Sequence, residues 1–114
     1  MATDRKAAIR AYKETPRPMG VFCVRNLESG RLLLGTTVDL PSMLRRQRFQ
    51  LENGGHANRA LQVDWNSLGA DAFEIDVLDT LERAEDATSD PRDDLVELAE
   101  MWRERLAGEG HATY

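Results

Sequence analysis

Four arginines in the middle of the chain are the residues best suited to chemistry with an anion. Arg45, Arg46 and Arg48 lie within one turn of a predicted helix, and Arg59 follows shortly after them. A guanidinium carries five N–H donors in a planar fork that matches the oxygens of a phosphate group. Between residues 43 and 62, one glutamate opposes these four arginines. This balance predicts a phosphate-binding surface with DNA or another nucleic acid as partner; an ordinary solvated face is the alternative.

His56 and Asn58 follow a Gly-Gly pair in the same region and are two further candidates for contact with nucleic acid. An imidazole and an amide can both donate hydrogen bonds to phosphate oxygens. The alternative is structural, with Asn58 capping the next helix and His56 holding the loop by a hydrogen bond. A single histidine without cysteines nearby does not make a metal site.

Length and composition limit the classes to which the protein can belong. A chain of 114 residues is expected to form one domain with a substantial core. No apolar run approaches the roughly 20 residues of a membrane helix, and the first residues lack the apolar segment of a signal peptide. We therefore expect a cytoplasmic protein with no membrane partner. The single cysteine, Cys23, excludes a disulfide within the chain and is interpreted as a small buried hydrophobe.

The net charge of −5 conceals an uneven distribution of charge along the chain. Residues 1–62 contain 11 Lys and Arg against 5 Asp and Glu, whereas residues 63–114 contain 4 against 15. Salt screens charges beyond about 8 Å, so a basic patch can face phosphate while another surface is acidic. The acidic half offers a second kind of surface, one that a protein partner can bind.

Apolar periodicity and the positions of glycine and proline predict a small α+β domain. Its three-stranded, mostly antiparallel sheet is flanked by helices in the order αββααβα. We divide the chain into an N-terminal helix with a proline-containing link over 1–18, a domain over 19–107 and a C-terminal tail over 108–114. The predicted elements are a helix over 3–14, a hairpin over 19–37, helices over 39–53 and 56–68, a strand over 72–81, an acidic loop over 82–90, a helix over 90–108 and a loose tail over 110–114.

The hairpin has two marked ends, Gly20-Val21-Phe22 and Leu33-Leu34-Gly35, with ten residues between Phe22 and Leu33. In this spacing the chain resembles the GIY-YIG nuclease family, and in particular its small single-domain bacterial members. The resemblance covers roughly residues 20–106 and implies the same fold as the periodicity does. It continues in Phe49-Gln50-Leu51, Asn53-Gly54, His56-Ala57-Asn58, Leu61-Gln62, Asp64-Trp65, Gly69 and Phe73-Glu74-Ile75.

The resemblance implies hydrolysis of a DNA phosphodiester bond with a divalent metal, Mg²⁺ or Mn²⁺, as cofactor. Active members carry a tyrosine in each hairpin motif, and these positions correspond to Phe22 and Leu33 here. The ring of Phe22 has no hydroxyl to relay a proton, and Leu33 offers no polar atom. Both catalytic positions in the hairpin are therefore substituted.

Two further family positions fall on helices and are substituted as well. The family arginine corresponds to Met43, although Arg46 lies on nearly the same helical face and is the candidate to replace it. The metal-binding glutamate corresponds to Ala99, three residues before Trp102. Glu100 is the adjacent candidate metal ligand, rotated by about 100° around the helix.

These substitutions leave three hypotheses, and leave open whether the protein is an enzyme. The first is a nucleic-acid-associated member of the family with weakened or lost endonuclease activity. The alternative is an active, divergent, metal-dependent DNA endonuclease in which Arg46 and Glu100 replace the missing groups. An interaction module that binds a protein through the acidic half also fits the substitutions. The loss of a metal carboxylate favours the first, because stabilisation of developing charge usually contributes most to catalysis of this kind.

Overall fold

The computed structural model describes residues 17–83 and 86–114, so the helix predicted over 3–14 lies outside the described residues. The elements are β1 (Gly20–Asn26), β2 (Leu32–Thr37), α1 (Leu40–Glu52), α2 (Arg59–Leu68), a 3₁₀ turn (Ala70–Ala72), β3 (Phe73–Thr80) and α3 (Pro91–Gly108). The three strands form one sheet in the order β2-β1-β3, and β1 is antiparallel to both neighbours. The predicted α+β fold with a three-stranded sheet is confirmed.

The turn between β1 and β2 is closed by Asn26 and Gly30. Gly30 has φ of +79°, a left-handed conformation that glycine adopts without steric cost. The side-chain Oδ1 of Asn26 accepts hydrogen bonds from the backbone N–H groups of Glu28 (3.0 Å) and Ser29 (3.1 Å). The buried side chain of Asn26 therefore accepts hydrogen bonds from two backbone N–H groups that the turn leaves unpaired. These bonds fix the register of the hairpin.

The two faces of the sheet are covered by different helices. Val24 and its neighbours on the same face pack with Leu51 of α1, Leu61 and Trp65 of α2, and Phe73 of β3 as the main core cluster. The side chains on the opposite face include Val21 and Cys23, which is buried as predicted. Helix α3 covers that face and contacts β1 and β2 through its apolar side, which contains the buried residues Leu95, Ala99 and Leu106.

A contact between α3 and β3 fixes the orientation of the last helix. The indole Nε1–H of Trp102 donates to Oδ2 of Asp79 at 3.0 Å. The guanidinium of Arg83 pairs with Asp94 at 3.0 Å and also donates to Ser89. These polar contacts hold the two halves of α3 against β3 and the segment that follows it. In the part of the chain that the structure describes, none of the helices is long and apolar enough to cross a bilayer.

All three helices begin with the polar caps that their sequences predict. The side chains of Asp39, Asn58 and Asp90 accept hydrogen bonds from backbone N–H groups in the first turns of α1, α2 and α3. A proline in the first turn follows two of these caps, Pro41 in α1 and Pro91 in α3. The local signals therefore mark the starts of the helices, and at α1 a distant contact adds to them, since the N–H of Leu40 donates to the carbonyl of Pro18 at 2.9 Å.

The prediction of a loose tail over residues 110–114 is wrong. Gly110, with φ of +87°, reverses the chain, and Thr113 forms a parallel bridge with Leu32 at the outer edge of β2. Leu32 donates to Ala112 O (3.0 Å) and accepts from the N–H of Tyr114 (2.9 Å). An edge strand leaves one row of backbone groups unpaired, and the tail satisfies part of that row.

The side chain of Tyr114 adds contacts that no local pattern predicts. Its hydroxyl donates to Oδ2 of Asp64 at 2.6 Å and accepts from Nδ2 of Asn26 at 3.0 Å. The guanidinium of Arg31 lies 4.2 Å from the centre of its ring. Burial raises the pKa of the Tyr114 hydroxyl, and the hydrogen bond to Asp64 raises it further.

Candidate nucleic-acid interface and hairpin site

Helix α1 presents an arginine-rich face to solvent. Its inner face buries Gln47 and Leu51 against the rest of the domain. At about 100° per residue, Phe49 falls on the opposite side, with Arg45 and Arg46 one turn before it. All three side chains are exposed. The cationic groups predicted from the sequence therefore project away from the core.

The four predicted arginines differ in the hydrogen bonds and ion pairs that their side chains form within the protein. Arg45 donates to Oγ of Ser42 at 3.3 Å, and Arg48 pairs with Glu52 at 3.4 Å with both side chains about half exposed. Exposed pairs of this kind contribute less than about 1 kcal/mol. Arg46 and Arg59 are exposed and form no hydrogen bond or ion pair with the described residues. Their guanidinium donors remain available for phosphate oxygens.

A buried polar network lies behind the inner face of α1. The Nε2–H of His56 donates to Oε1 of Gln47 at 2.5 Å, while its Nδ1 accepts from the N–H of Asn58 at 3.0 Å. The backbone N–H of His56 donates to Oε1 of Gln62 at 3.0 Å, and Nε2 of Gln62 donates to the carbonyl of Leu51 at 3.0 Å. These bonds tie the loop after α1 to both helices.

This network determines what His56 and Asn58 do in the folded protein. Both ring nitrogens of His56 are engaged, its side chain is buried, and Oδ1 of Asn58 accepts from the N–H of Leu61 at 3.1 Å. Burial lowers the pKa of the imidazole, so its neutral form is favoured. The structure thus places these two predicted contact residues in a loop and a helix cap, whereas the arginines face solvent.

Gln47 and Gln62 are buried polar residues that were not among the residues predicted for the site. The signal for Gln47 was its position one turn from both Met43 and Leu51, which places an amide on the apolar side of α1. A buried amide needs partners, and the histidine shortly after the helix was the available one. Glutamines at positions where the helical pattern expects buried residues are therefore the signal in the sequence for this hydrogen-bond network.

The buried imidazole predicts a pH dependence of stability. The folded state holds the pKa of His56 below the value of about 6.5 expected in the unfolded chain. As the pH falls through 6.5 the unfolded chain binds the proton first, so the free energy of unfolding decreases until the folded-state pKa is reached. Urea denaturation between pH 5 and 8 should show this loss. His56→Gln should flatten the curve; a variant that keeps the pH dependence of the natural protein would contradict the assignment.

The two hairpin motif positions lie side by side on the sheet face that packs against α1 and α2. Phe22 lies opposite Gly35 in the antiparallel pair, and Leu33 lies opposite Val24. Phe22 is 4% exposed, and its ring lies over the Cα of Gly35. Neither Phe22 nor Leu33 carries a polar side-chain atom, so neither accepts or relays a proton.

The position predicted to correspond to the family's metal ligand, Ala99, lies on the other side of the sheet, in α3. Ala99 is 2% exposed and packs inward, whereas Glu100 is exposed and pairs with Arg103 at 3.5 Å. Among the described residues, no group of three or more His, Cys, Asp or Glu is arranged to hold a metal ion. The residues at this position therefore do not fit a divalent metal.

Comparison with known proteins gives matches among solved structures alone. No protein-family model and no curated protein matches the sequence. The catalytic domain of the intron endonuclease I-TevI, solved as a point mutant, matches with a TM-score of 0.64 and 22% identity, covering 83% of this chain and 90% of that one. A second structure of the catalytic domain of homing endonuclease I-TevI matches with a TM-score of 0.63 and 22% identity, over 78% and 88% of the two chains.

This chain has the fold of the I-TevI catalytic domain. The GIY-YIG-like fold predicted from the hairpin motifs is therefore confirmed. At 22% identity the likeness establishes the fold, and the activity has to be argued from the residues present.

The GIY-YIG-like fold explains why the hairpin keeps its two motif glycines. A Cβ on Gly35 would lie 2.4 Å from the ring of Phe22, and one on Gly20 would lie 2.0 Å from the carbonyl oxygen of Asp79. A register shift between Val21 and Phe22 accompanies this close approach of β3 to β1. Both glycines are required by packing of the sheet, independently of any catalytic group.

Proposed function

We propose that this protein is a member of the GIY-YIG nuclease family that binds nucleic acid through α1 and has weakened or lost endonuclease activity. The observation that carries the proposal is the exposed face of α1, where Arg45 and Arg46 point to solvent with few or no partners among the described residues. The fold supports the family, and the side chains support the binding role over catalysis.

Phosphate binding follows from the charge and accessibility of this surface. Arg45 and Arg46 lie on the outer side of α1, and Arg48 and Arg59 add two exposed guanidinium groups in the same stretch of chain. Phosphate contacts supply most of the affinity for nucleic acid, and arginine binds phosphate in a bidentate manner. The acidic helix α3 lies on the other side of the sheet, where screening over about 8 Å limits its repulsion.

Weakened or lost endonuclease activity follows from the catalytic side chains that this chain lacks. Hydrolysis of a phosphodiester needs a group that activates water and cationic charge that stabilises the phosphoryl oxygens. Phe22 and Leu33 supply no proton acceptor, and Ala99 supplies no carboxylate. Arg46 is the remaining candidate for a contact to the non-bridging oxygens. The chain therefore keeps the means to hold phosphate and lacks most of the means to cleave it.

The test is a cleavage assay beside a binding titration. We expect no cleavage of labelled single- or double-stranded DNA with Mg²⁺ or Mn²⁺, together with binding that weakens steeply as salt increases. The double variant Arg46→Ala, Glu100→Ala is compared with the double variant Arg92→Ala, Glu104→Ala. The control also removes one positive and one negative charge, but from two other positions, both on α3.

Cleavage that is lost in the Arg46, Glu100 variant and kept in the control would contradict the proposal. That result would identify an active, divergent, metal-dependent endonuclease with a displaced site. If the protein neither cleaves nor binds nucleic acid, the proposed nucleic-acid role is wrong. The hypothesis of a protein-binding surface on the acidic half would then remain.

A further inference from the structure

Phe49 is an aromatic side chain that the fold leaves in water. It is 66% exposed, more than any other large hydrophobic residue in the described part of the chain. It lies on α1, opposite the buried Gln47 and Leu51, so no adjustment within the helix brings it to the core. Single exposed hydrophobic side chains are common on protein surfaces, so what distinguishes this ring is the set of charged residues beside it.

The surroundings of Phe49 are cationic and polar. Arg45 and Arg46 occupy the two helical positions one turn before it, where side chains approach each other closely. Helical side chains lean toward the N-terminus, so the ring leans toward the turn of α1 that carries these two arginines. One turn later Nδ2 of Asn53 donates to the carbonyl of Phe49 at 2.7 Å, which holds the last turn of the helix. No exposed apolar residue adjoins the ring on α1.

We propose that Phe49 is a stacking platform for an unpaired base, so that α1 binds single-stranded nucleic acid with Arg45 and Arg46 on its phosphates. This inference rests on the proposed function and specifies its ligand. Aromatic side chains stack on the faces of unpaired bases regardless of sequence, while arginines follow the backbone. In a duplex the base faces are covered by neighbouring bases, so the ring has nothing to stack on.

A protein partner fits this surface less well. Hydrophobic protein-docking sites combine several apolar residues and are depleted of charge at their centre. Here a single ring follows two arginines by one helical turn, with the ion-paired Arg48 and Glu52 on the same helix. The positive charge around the ring complements an anionic ligand that also has flat aromatic groups, and single-stranded nucleic acid has both.

The test compares a labelled oligo(dT) strand with a labelled hairpin duplex by fluorescence anisotropy. Phe49→Ala is expected to weaken binding of oligo(dT) by roughly 5- to 150-fold, the loss of one stacked base, and to change duplex binding less than about twofold. The dependence of affinity on salt should be unchanged, because no phosphate contact is removed. Phe49→Trp should retain binding of the single strand.

The matched control is Met101→Ala, which removes a side chain that is 62% exposed on α3. It should leave both affinities unchanged. Equal losses on oligo(dT) and duplex, or no loss in Phe49→Ala, would overturn the stacking role while salt-dependent binding preserves the proposed function. If the natural protein binds neither ligand, the proposed function itself fails and the inference fails with it.

Discussion

Replacing Arg45 and Arg46 together by alanine is expected to weaken nucleic-acid binding roughly 30-fold at 0.15 M salt. Each phosphate contact on duplex DNA contributes about 0.9 to the slope of log affinity against log salt, and about 0.7 on a single strand. Loss of two contacts should therefore make the slope shallower by about 1.4 to 1.8. Anisotropy titrations between 50 and 300 mM salt measure both quantities. Both residues are exposed on α1, so the fold should be unaffected.

The control for this prediction removes the same amount of charge from the acidic half. Arg92 and Arg103 are exposed on α3, and replacing both by alanine changes the net charge by the same amount. If the slope changes equally in the two double variants, net charge governs binding and α1 is not the interface. An unchanged slope in the Arg45, Arg46 variant would also exclude this surface.

Gly20→Ala is expected to destabilise the fold by about 3 kcal/mol or more. The new Cβ would lie 2.0 Å from the carbonyl oxygen of Asp79 and 2.9 Å from the Cα of Thr80. Overpacking against movable side chains costs about 1–3 kcal/mol, and here the opposing atoms are backbone atoms of β3. For a domain of this size the melting temperature should fall by more than about 10 °C. Thermal unfolding followed by circular dichroism measures the change.

Gly55→Ala is the matched control, since nothing lies within 4 Å of its added Cβ and its φ is not in the left-handed region. Its stability should stay within about 0.5 kcal/mol of the natural protein. Similar losses in both variants would mean that general loss of glycine flexibility, rather than the close approach of β1 and β3, determines the effect.

Much of the fold could be predicted because its signals are local. The Asp39 and Asp90 caps, each with a proline in the first turn of its helix, are signals that lie within a few residues of one another in the chain. The alternation along β3 and the positive φ at Gly30 are similarly local properties. These signals set the elements and their order, whereas the resemblance to the GIY-YIG nuclease family rests on the spacing of the hairpin motifs.

The candidate site was only partly predictable. Exposure of the arginines on α1 followed from helical periodicity, since apolar residues such as Leu40 and Leu51 define the buried face. The engagement of both ring nitrogens of His56 did not, because its partner Gln47 is nine residues away along the chain. The packing of α3 against the other face of the sheet, which separates Glu100 from the hairpin positions, required the assembled sheet.

The sequence by itself determined the helices, the strands, the turn at Gly30 and the uneven charge, because each depends on neighbouring residues or on composition. The tertiary structure alone decided the docking of the tail: Tyr114 reaches Asp64 across 50 positions and Asn26 across 88. It also decided that a buried ring lies over Gly35. Contacts between distant residues depend on how whole helices and strands pack together. No local pattern of side chains therefore predicts that the C-terminal tail pairs with the outer edge of β2.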